Sequence, residues 1–472
     1  MLQPIIIAVG GTGQNVLAAY LRLATMAGFT PAPFYVVDSD IKGPQHQALT
    51  NLKGRVRRVV GGPQRDRWVV NPYPTHRTDR KTFGELFRHP DDDGRRVFEC
   101  LFSEEAAKTP IRTGMYGRPA IGAASMRLKF LQEDDDLRDL KGRLRDGEKH
   151  VVLVGSCFGG TGSGGVPIRA QEFDELNRQP GYSLRVQALV FLPWFRLVLP
   201  AGDMVTSDRL LFERLNEEFD PNAAASIRFF HRSLRQRVES VIYLGVPDPS
   251  AVPRVSRESA QVEVLHPLNL LAAAIVQNLF TADWEAPRGL CGYWFDAAAG
   301  LRGDRLSIGR GDGLASLALT DVIRRSHFHR RWLELIRTLF THFYDLPEFD
   351  RPLFMDATLA RIRRRGQTPK QVTDEMCSYF SDRQSVHQEA LEWVDAVAAA
   401  DERLLPLEPK DKEIKSDDHE RLCADPLRVL AGWCASERVQ HEFESKDYEQ
   451  PRIFAEKLAD RFLGDLSRRF DL

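Results

Sequence analysis

The chain has 472 residues, which is too long for one small core and predicts two or three domains of about 100–200 residues each. Hydrophobic residues make up 43% and charged residues 28%, a composition that excludes a chain disordered throughout because it supplies enough apolar surface for a core. The formal net charge of -1 excludes a general attraction to nucleic acid or to an anionic membrane surface.

Short apolar runs alternate with helical patterns over the first half of the chain. Ile5–Val9 predicts a buried parallel strand, and the apolar spacing of 16–27 predicts a helix behind it. The stretch from about 42 to 112 is polar and rich in arginine, and it predicts loops. Strands that alternate with helices predict an α/β domain with a parallel sheet over residues 1–257. The further elements predicted here are strands at 34–37, 151–154, 186–192 and 241–244, and a helix at 123–131 that extends toward 144.

Beyond residue 257 the pattern becomes helical. A single long helix is predicted at 258–280. The strand signal is weak from there on, so 281–472 is predicted to form a mostly helical C-terminal domain. Its predicted helices lie at about 315–345, 369–403, 425–445 and 451–469.

Cysteine usage and the N-terminus bear on the compartment. The six cysteines form no CxxC pair, so neither a disulfide framework nor a zinc ribbon is predicted. The N-terminus lacks the basic start and long apolar stretch of a signal peptide, and no apolar run approaches the roughly 18–20 residues that cross a bilayer. We therefore expect a reduced, cytoplasmic protein without a membrane segment.

A first glycine-rich loop follows the strand at Ile5–Val9. Glycine lets the backbone turn sharply and approach an anion closely, and the N–H groups of the following helix point at the same place. Two polar side chains at the end of the loop could add hydrogen bonds. The alternative is a tight strand-to-helix turn that holds no ligand. The loop consists of Gly10, Gly11, Thr12, Gly13, Gln14 and Asn15.

A second, longer glycine loop follows the strand at 151–154. Its five glycines supply successive backbone N–H donors that can enclose an anion, and Thr161 and Ser163 can donate to phosphate oxygens. A purely structural role would leave the entropic cost of so much glycine without compensation. The loop consists of Gly159, Gly160, Thr161, Gly162, Ser163, Gly164 and Gly165.

Two common phosphate motifs do not fit these loops. The dinucleotide fingerprint GxGxxG would need a small residue after Gly11 and Gly13, where Val16 stands, and Asp38 matches its ribose acid only loosely. The Walker loop needs a lysine that 164–166 does not contain. A dinucleotide-dependent enzyme is therefore the least favoured of three hypotheses for the function of this chain.

The glycine loops and their order resemble those of the tubulin/FtsZ superfamily, and most of all its divergent bacterial tubulin-like proteins. Residues 159–164 resemble the tubulin signature GGTGSG, with Phe158 in place of the first glycine of the full GGGTGSG. Residues 10–15 are similar to the first phosphate loop of FtsZ. Residues 114–122 are similar to the FtsZ loop Gly-Ala-Asn-Pro-Glu-Ile-Gly, with Arg118 and Ala120 in place of the family Asn and Glu. The resemblance covers roughly residues 1–280.

This resemblance implies a tubulin-like nucleotide-binding domain that holds GTP or GDP, with Mg2+ as a further cofactor. Asp38 and Asp40 would contact the ribose or the magnesium through water, or else be solvated acids at a strand end. Residues 220–223 resemble the start of the next helix, with Asn222 in the site. Asp248 would accept from guanine N1–H and the exocyclic amine, or else be a plain turn residue. The nucleotide-binding residues implied are Gly10, Gly11, Thr12, Gly13, Gln14, Asn15, Asp38, Asp40, Gly114, Gly117, Arg118, Gly159, Gly160, Thr161, Gly162, Ser163, Gly164, Asn222 and Asp248.

The resemblance breaks at the catalytic loop. Tubulins and FtsZ hydrolyse GTP in trans, through an Asn-x-Asp type motif that a loop after the central helix inserts into the next subunit. The segment 281–287 offers Asp283 and Glu285 without that motif. These acids are the candidate catalytic residues, or else ordinary surface acids.

Other patterns predict no further site. His327 and His329 lie on different faces of a helix and have no partner at metal-ligand spacing, so no metal site is predicted. The leading hypothesis is a tubulin-like GTP-binding protein that forms filaments or controls a protein partner, with slow or assembly-dependent hydrolysis. The alternative is a non-catalytic interaction protein that keeps the fold, binds nucleotide weakly and acts through a partner protein.

Overall fold

The computed structural model describes most of the chain. The described residues are 3–38, 40, 43–59, 68–72, 82–86, 92–110, 118–132, 135–198, 206–233, 237–245, 254–256, 266–280, 289–294, 319–345, 353–362, 366–400, 433, 436–444, 448 and 450–469.

A seven-stranded sheet forms the centre of the molecule. Its strand order is β3-β2-β1-β4-β5-β7-β9, and every neighbouring pair is parallel. The remaining two strands, β6 and β8, pair in a small parallel ribbon. β2 and β7 are buried at every position, which is typical of a parallel sheet covered on both faces. The strands are β1 (Gln3–Val9), β2 (Phe34–Asp38), β3 (Trp68–Pro72), β4 (Glu148–Ser156), β5 (Ser183–Phe191), β6 (Arg196–Val198), β7 (Ser240–Gly245), β8 (Arg254–Ser256) and β9 (Gly289–Trp294).

Helices cover the sheet and form the C-terminal part. The helices are α1 (Gly10–Ala27), α2 (Pro44–Val59), α3 (Phe83–Leu86), α4 (Asp92–Leu101), α5 (Glu104–Ala107), α6 (Pro119–Gln132), α7 (Asp135–Leu144), α8 (Thr161–Asn177), α9 (Thr206–Ser233), α10 (Pro267–Leu279), α11 (Leu319–Thr341), α12 (Leu353–Ile362), α13 (Pro369–Ala400), α14 (Glu437–Glu444) and α15 (Pro451–Arg469).

The C-terminal helices pack on the helices that cover β1 and β2. α1 contacts α2 and α10, and α11 and α13 pack over α1, so one apolar core runs from the sheet to the C-terminal helices. Arg325 of α11 donates to Ala27 O at 3.1 Å, and Tyr379 of α13 donates to Val59 O at 3.2 Å. These side chains satisfy carbonyl groups that the last turns of α1 and α2 leave without a helical partner.

The strand order reverses direction between β1 and β4. From β1 the chain moves to β2 and β3 on one side, and from β4 it moves to β5 and β7 on the other. In an open parallel sheet, the crevice at the carboxyl ends of the strands at such a point is where ligands bind. The fold therefore places the candidate site where β1 and β4 end.

The α/β class, the parallel sheet and the mainly helical C-terminal part are confirmed. The predicted strands at 5–9, 34–37, 151–154, 186–192 and 241–244 correspond to β1, β2, β4, β5 and β7, and α15 matches the helix predicted at 451–469. β3 and α2 lie in a stretch that predicted loops, and β9 was not predicted at all. The division of the chain into domains at 257 and 280 stays a prediction.

Two predicted helices differ from those observed. A continuous helix over 258–280 is wrong, because His266 is extended and α10 starts at Pro267, where a missing N–H costs nothing. Residues 257–265 lie outside the described part. The predicted helix start at 220–223 is also wrong, because α9 begins at Thr206 and holds Pro221 in its interior.

Candidate functional site

The first glycine loop is the beginning of a helix. Val9 is extended, with φ -110° and ψ 118°, and α1 starts at the next residue, Gly10, whose φ is 72°. Only glycine adopts that φ without strain, so β1 passes directly into α1. Gly13 lets α1 approach β4 closely, because a Cβ there would lie 2.7 Å from Val154 O of β4. The prediction that the helix starts at Val16 is therefore wrong.

The second glycine loop is also shorter than predicted, because a helix begins inside it. Gly159 has a φ of 76°, and α8 begins at Thr161, so 161–165 are helical. A Cβ on Gly10 would lie 3.2 Å from the backbone nitrogen of Gly162. The starts of α1 and α8 are therefore in contact at the ends of β1 and β4.

Neither helix start carries a group that competes with an anion. α1 and α8 have no side-chain cap hydrogen bond and no acidic residue in the first turn. The first N–H groups of a helix have no partner within it, and the helix dipole adds partial positive charge there. Two such starts in contact give a site whose chemistry suits phosphate.

Gly162 has a structural role as well. A Cβ there would lie 2.5 Å from Ser156 Oγ and 3.0 Å from the Ser156 nitrogen. A side chain would push α8 away from β4, so a substitution of Gly162 would disturb packing in addition to any effect on a phosphate. Ser163 donates its hydroxyl to Gly159 O, which closes the loop from within.

The Gln14 side chain brings the first glycine segment together with the acidic end of β2. Gln14 Nε2 donates to Asp38 Oδ2 at 2.5 Å, and Asp38 Oδ1 accepts from the backbone of Asp40 at 3.2 Å. Gln14 is 1% exposed, and its Oε1 has no hydrogen-bond partner. A buried acceptor without a partner is costly in a folded chain, which suggests that a ligand or its water supplies the donor.

The start of α6 forms a third wall of the site. Gly122 lies against Gly160, and a Cβ on Gly164 would lie 2.5 Å from the Ala123 nitrogen. Arg118 directly precedes α6, and its guanidinium pairs with Glu105 rather than with the glycine segments. Gly114 and Gly117, which were predicted to bind nucleotide, lie outside the described residues.

An aromatic cluster encloses the other side of the second loop. The Phe158 ring lies 5.0 Å from Phe219 of α9 and 5.3 Å from Phe195, measured between centroids. Trp194 packs on Phe195 at 5.2 Å and on His266, the N-cap of α10, at 5.2 Å. The cluster therefore ties the second loop to α9 and α10. Phe158, the departure from the tubulin signature, was the signal in the sequence for this wall.

The remaining predicted site residues are described only in part. Asn222 is half-buried inside α9. Asp248, Asp283 and Glu285 lie outside the described residues. Sequence reasoning missed Asn269, which sits in the first turn of α10, is 3% exposed and has no partner for Oδ1.

The cysteine beside the second loop is poorly suited to nucleophilic chemistry. Cys157 is buried next to the second loop, and burial raises the pKa of its thiol to about 12, so it stays protonated and is a poor nucleophile. Across the described ranges, no group of three or more His, Cys, Asp or Glu residues could hold a metal ion. None of the described helices is both long enough and apolar enough to span a bilayer.

A buried ion pair lies on α8 beyond the glycine segment. Arg169 Nη1 donates to Glu172 Oε2 at 2.6 Å, and both side chains are buried. Burial raises the pKa of Glu172 to about 7, although the nearby charges of Arg169 and Arg127 partly oppose the rise. Through this pair, the folding stability of the protein depends on pH near neutrality.

Comparison with known proteins gives little beyond this geometry. No family model matches the sequence, and no curated protein matches it either. Among solved structures, a match is CetZ2 from Haloferax volcanii in a GTPγS-bound protofilament, at 15% identity and a TM-score of 0.32. The match covers 59% of this chain and 58% of that one, so this chain spans little more than half of its length.

We expect folding stability to fall between about pH 4.5 and about pH 7 because of Glu172. The unfolded carboxyl ionises near its usual value of 4.5, whereas the folded one holds its proton until about pH 7. The folded state thus binds the extra proton in this window, so stability is lost as pH rises through it. At about 1.4 kcal/mol per pKa unit, the loss is about 3 kcal/mol.

Urea unfolding of Glu172→Gln at both pH values measures this loss. The variant should lack that part of the pH dependence. Asp174→Asn, which alters another acid of α8 that pairs with Arg178 and Arg237, should keep it. An equal fall in Glu172→Gln and in the unaltered protein would contradict the assignment.

Proposed function

We propose that this chain is a tubulin-like protein that binds GTP or GDP where β1 and β4 end. The observation that carries the proposal is the contact between the starts of α1 and α8, at Gly10 and Gly162. Two helix N-termini without caps or acids offer the phosphates backbone donors from both sides. The motifs in these two segments are those on which the resemblance to the tubulin/FtsZ superfamily rests.

The strand order suggests how the nucleotide lies. Trp194 follows β5, and Asn269 lies in the first turn of α10, whose N-cap His266 packs on Trp194. Asp38 ends β2 on the opposite side of the glycine segments. A base near Trp194 and Asn269 places the phosphates over α1 and α8, and the terminal phosphate then points toward Asp38. Asp248 is proposed as a further contact of the base.

Magnesium fits the β2 side of this arrangement. Asp38 and Asp40 would hold the ion through its waters, since Mg2+ usually keeps several of them. The Gln14 Oε1 atom, buried and without a partner, could accept from such a water. The ion would neutralise phosphate charge when it is bound.

The second candidate is a non-catalytic interaction protein that binds nucleotide weakly. Phe158 favours it, because a large ring stands where the signature has a glycine and is held between Phe195 and Phe219. A loop fixed in this way would limit adjustment around a ligand. Nucleotide titration separates the two candidates.

The decisive variants are Gly159→Asp and Gly159→Asn. A Cβ on Gly159 meets no atom of the described residues within 4 Å, and both side chains tolerate its φ of 76° better than most. Aspartate adds a negative charge beside the phosphates, so GTP should bind at least about tenfold more weakly than to the asparagine variant.

Asparagine is the matched control for strain and size in this pair. Titration of labelled GTP gives both affinities, and thermal unfolding verifies that the two variants fold alike. Equal GTP affinities would contradict the site. A chain that binds neither GTP nor GDP would support the interaction protein instead.

Asn269→Leu tests the base end of the site. The substitution removes a buried acceptor that has no partner, so the unliganded protein should become more stable, by about 1 kcal/mol or more. If a nucleotide donates to Oδ1, the same variant should lose about tenfold in affinity. Denaturant unfolding and GTP titration measure the two effects, and a variant with unaltered affinity would remove Asn269 from the site.

We also propose slow hydrolysis that depends on assembly. Phosphoryl transfer requires an oriented water as well as a held phosphate. The family motif that supplies the catalytic acids is missing, and Asp283 and Glu285 would have to act on a neighbouring copy. Activity per molecule should therefore be low in dilute protein and rise steeply with concentration. A rapid rate that is independent of dilution would show that the catalytic groups lie in the same chain.

A further inference from the structure

Two buried histidines meet where α11 packs on α13. His329 of α11 is 5% exposed and His387 of α13 is 1% exposed. Their rings stand nearly perpendicular, at 86°, and their centroids lie 5.8 Å apart. The hydroxyl oxygen of Ser326, which is buried one turn before His329, lies 2.9 Å from His387 Nδ1. We call His329 and His387 the histidine pair.

The histidine pair lies at the end of α1. Gly28 caps α1 with a φ of 74°, and a Cβ there would lie 3.8 Å from His329 Cε1. Arg325, one turn earlier on α11, donates to Ala27 O at 3.1 Å. The same stretch of α11 therefore contacts both α13 and the end of α1.

The surroundings of the histidine pair keep both rings neutral. Burial above all, and then the charges of Arg383 and Arg325, lower the pKa of His329 to about 3. Burial, together with the neighbouring His329 and Arg383, holds the pKa of His387 well below its usual range. Neither ring therefore carries a proton charge at pH 7 while the interface is closed.

The acids of the packed helices act on other groups. Asp460 of α15 accepts from Arg383 Nη1 at 2.6 Å. Burial raises the pKa of Tyr379, and Asp460 and Glu456 of α15 add to the rise. Glu389 of α13 pairs with one arginine of α1 and one of α2. A proton on the histidine pair would therefore add positive charge beside two arginines in a buried interface.

Acid therefore favours an open interface between α11 and α13. Histidines that leave the interface bind protons near their usual value of 6.5, whereas the closed pair does not. The open state thus binds more protons below this pH, so the closed state loses stability as pH falls. The effect of Glu172 has the opposite sign over part of the same range, because its folded carboxyl keeps a proton up to about pH 7.

We propose that the histidine pair is a pH switch that holds α11 and α13 together on the end of α1. When the rings are neutral, they fill the interface, and α11 stays in contact with Ala27 and Gly28. When the rings are protonated, repulsion from Arg325 and Arg383 opens the interface, and the contact with α1 is lost. The switch does not depend on the nucleotide binding proposed above.

Hydrogen exchange of the full chain at pH 7 and pH 5 tests the switch, with rates corrected for the intrinsic effect of pH on exchange. Peptides of α11 and α13 should lose protection at pH 5, because each opened histidine favours the open state by roughly twentyfold over this range. Peptides of β1 should lose much less.

His387→Asn separates the histidine pair from other titrating groups. Asparagine can still bond to Ser326 but cannot gain a proton, so its loss of protection should be about twentyfold smaller than that of the unaltered chain. His342→Gln is the matched control, because His342 directly follows α11 and its side chain is 63% exposed. This control should lose protection as the unaltered chain does.

Three results would overturn the switch. The first is full protection of α11 and α13 at pH 5 in the unaltered chain. The second is a loss of protection that extends equally to β1, since that is unfolding of the whole molecule. The third is an equal loss in His387→Asn and the unaltered chain. If that variant does not fold, His329→Phe, which keeps a ring of similar shape, decides by the same comparison.

Discussion

The close approach of two backbones at the ends of β1 and β4 is the constraint on which the site depends. α1 and α8 can start side by side because Gly10 places no side chain against Gly162, and because Gly13 and Gly162 let the two helices approach β4 closely. That approach also removes any loop between β1 and α1 and leaves only residues 157–160 between β4 and α8. The N–H groups of both first turns are then directed at the same place, so packing and anion binding have one cause.

The opposite end of α1 shows what keeps this arrangement in place. Arg325 of α11 donates to Ala27 O, and Arg22 near the same end pairs with Glu389 of α13 at 3.7 Å. α1 is thus held between the glycine contact and the C-terminal helices. Because interiors are close-packed, a shift of α1 at one end has to be accommodated at the other. The C-terminal helices therefore support the geometry of the site from a distance.

Much of the sheet could be predicted from the sequence, whereas the walls of the site could not. The strands at 5–9 and 151–154 are uninterrupted apolar runs, a strong signal for buried parallel strands. α1 begins in glycines, which have low helix propensity, and tertiary contact with β4 overrides that preference. α9 was misread because Pro221 usually ends a helix. The sequence marks Phe158 as a departure from the signature, but its partners Phe195 and Phe219 are distant in the chain, so no local pattern predicts the wall that they form.

The rate at which the buried Cys157 thiol is labelled can report how often the site opens. Cys157 lies one residue before the aromatic wall, and its backbone nitrogen donates to Phe191 O at 2.9 Å across the β4–β5 pair. An alkylating reagent can reach it only when this region opens, because the folded chain keeps the thiol both shielded and protonated. Cys100 on α4 is exposed and reacts without any opening, so the ratio of the two labelling rates reports how often the carboxyl edge of the sheet comes apart.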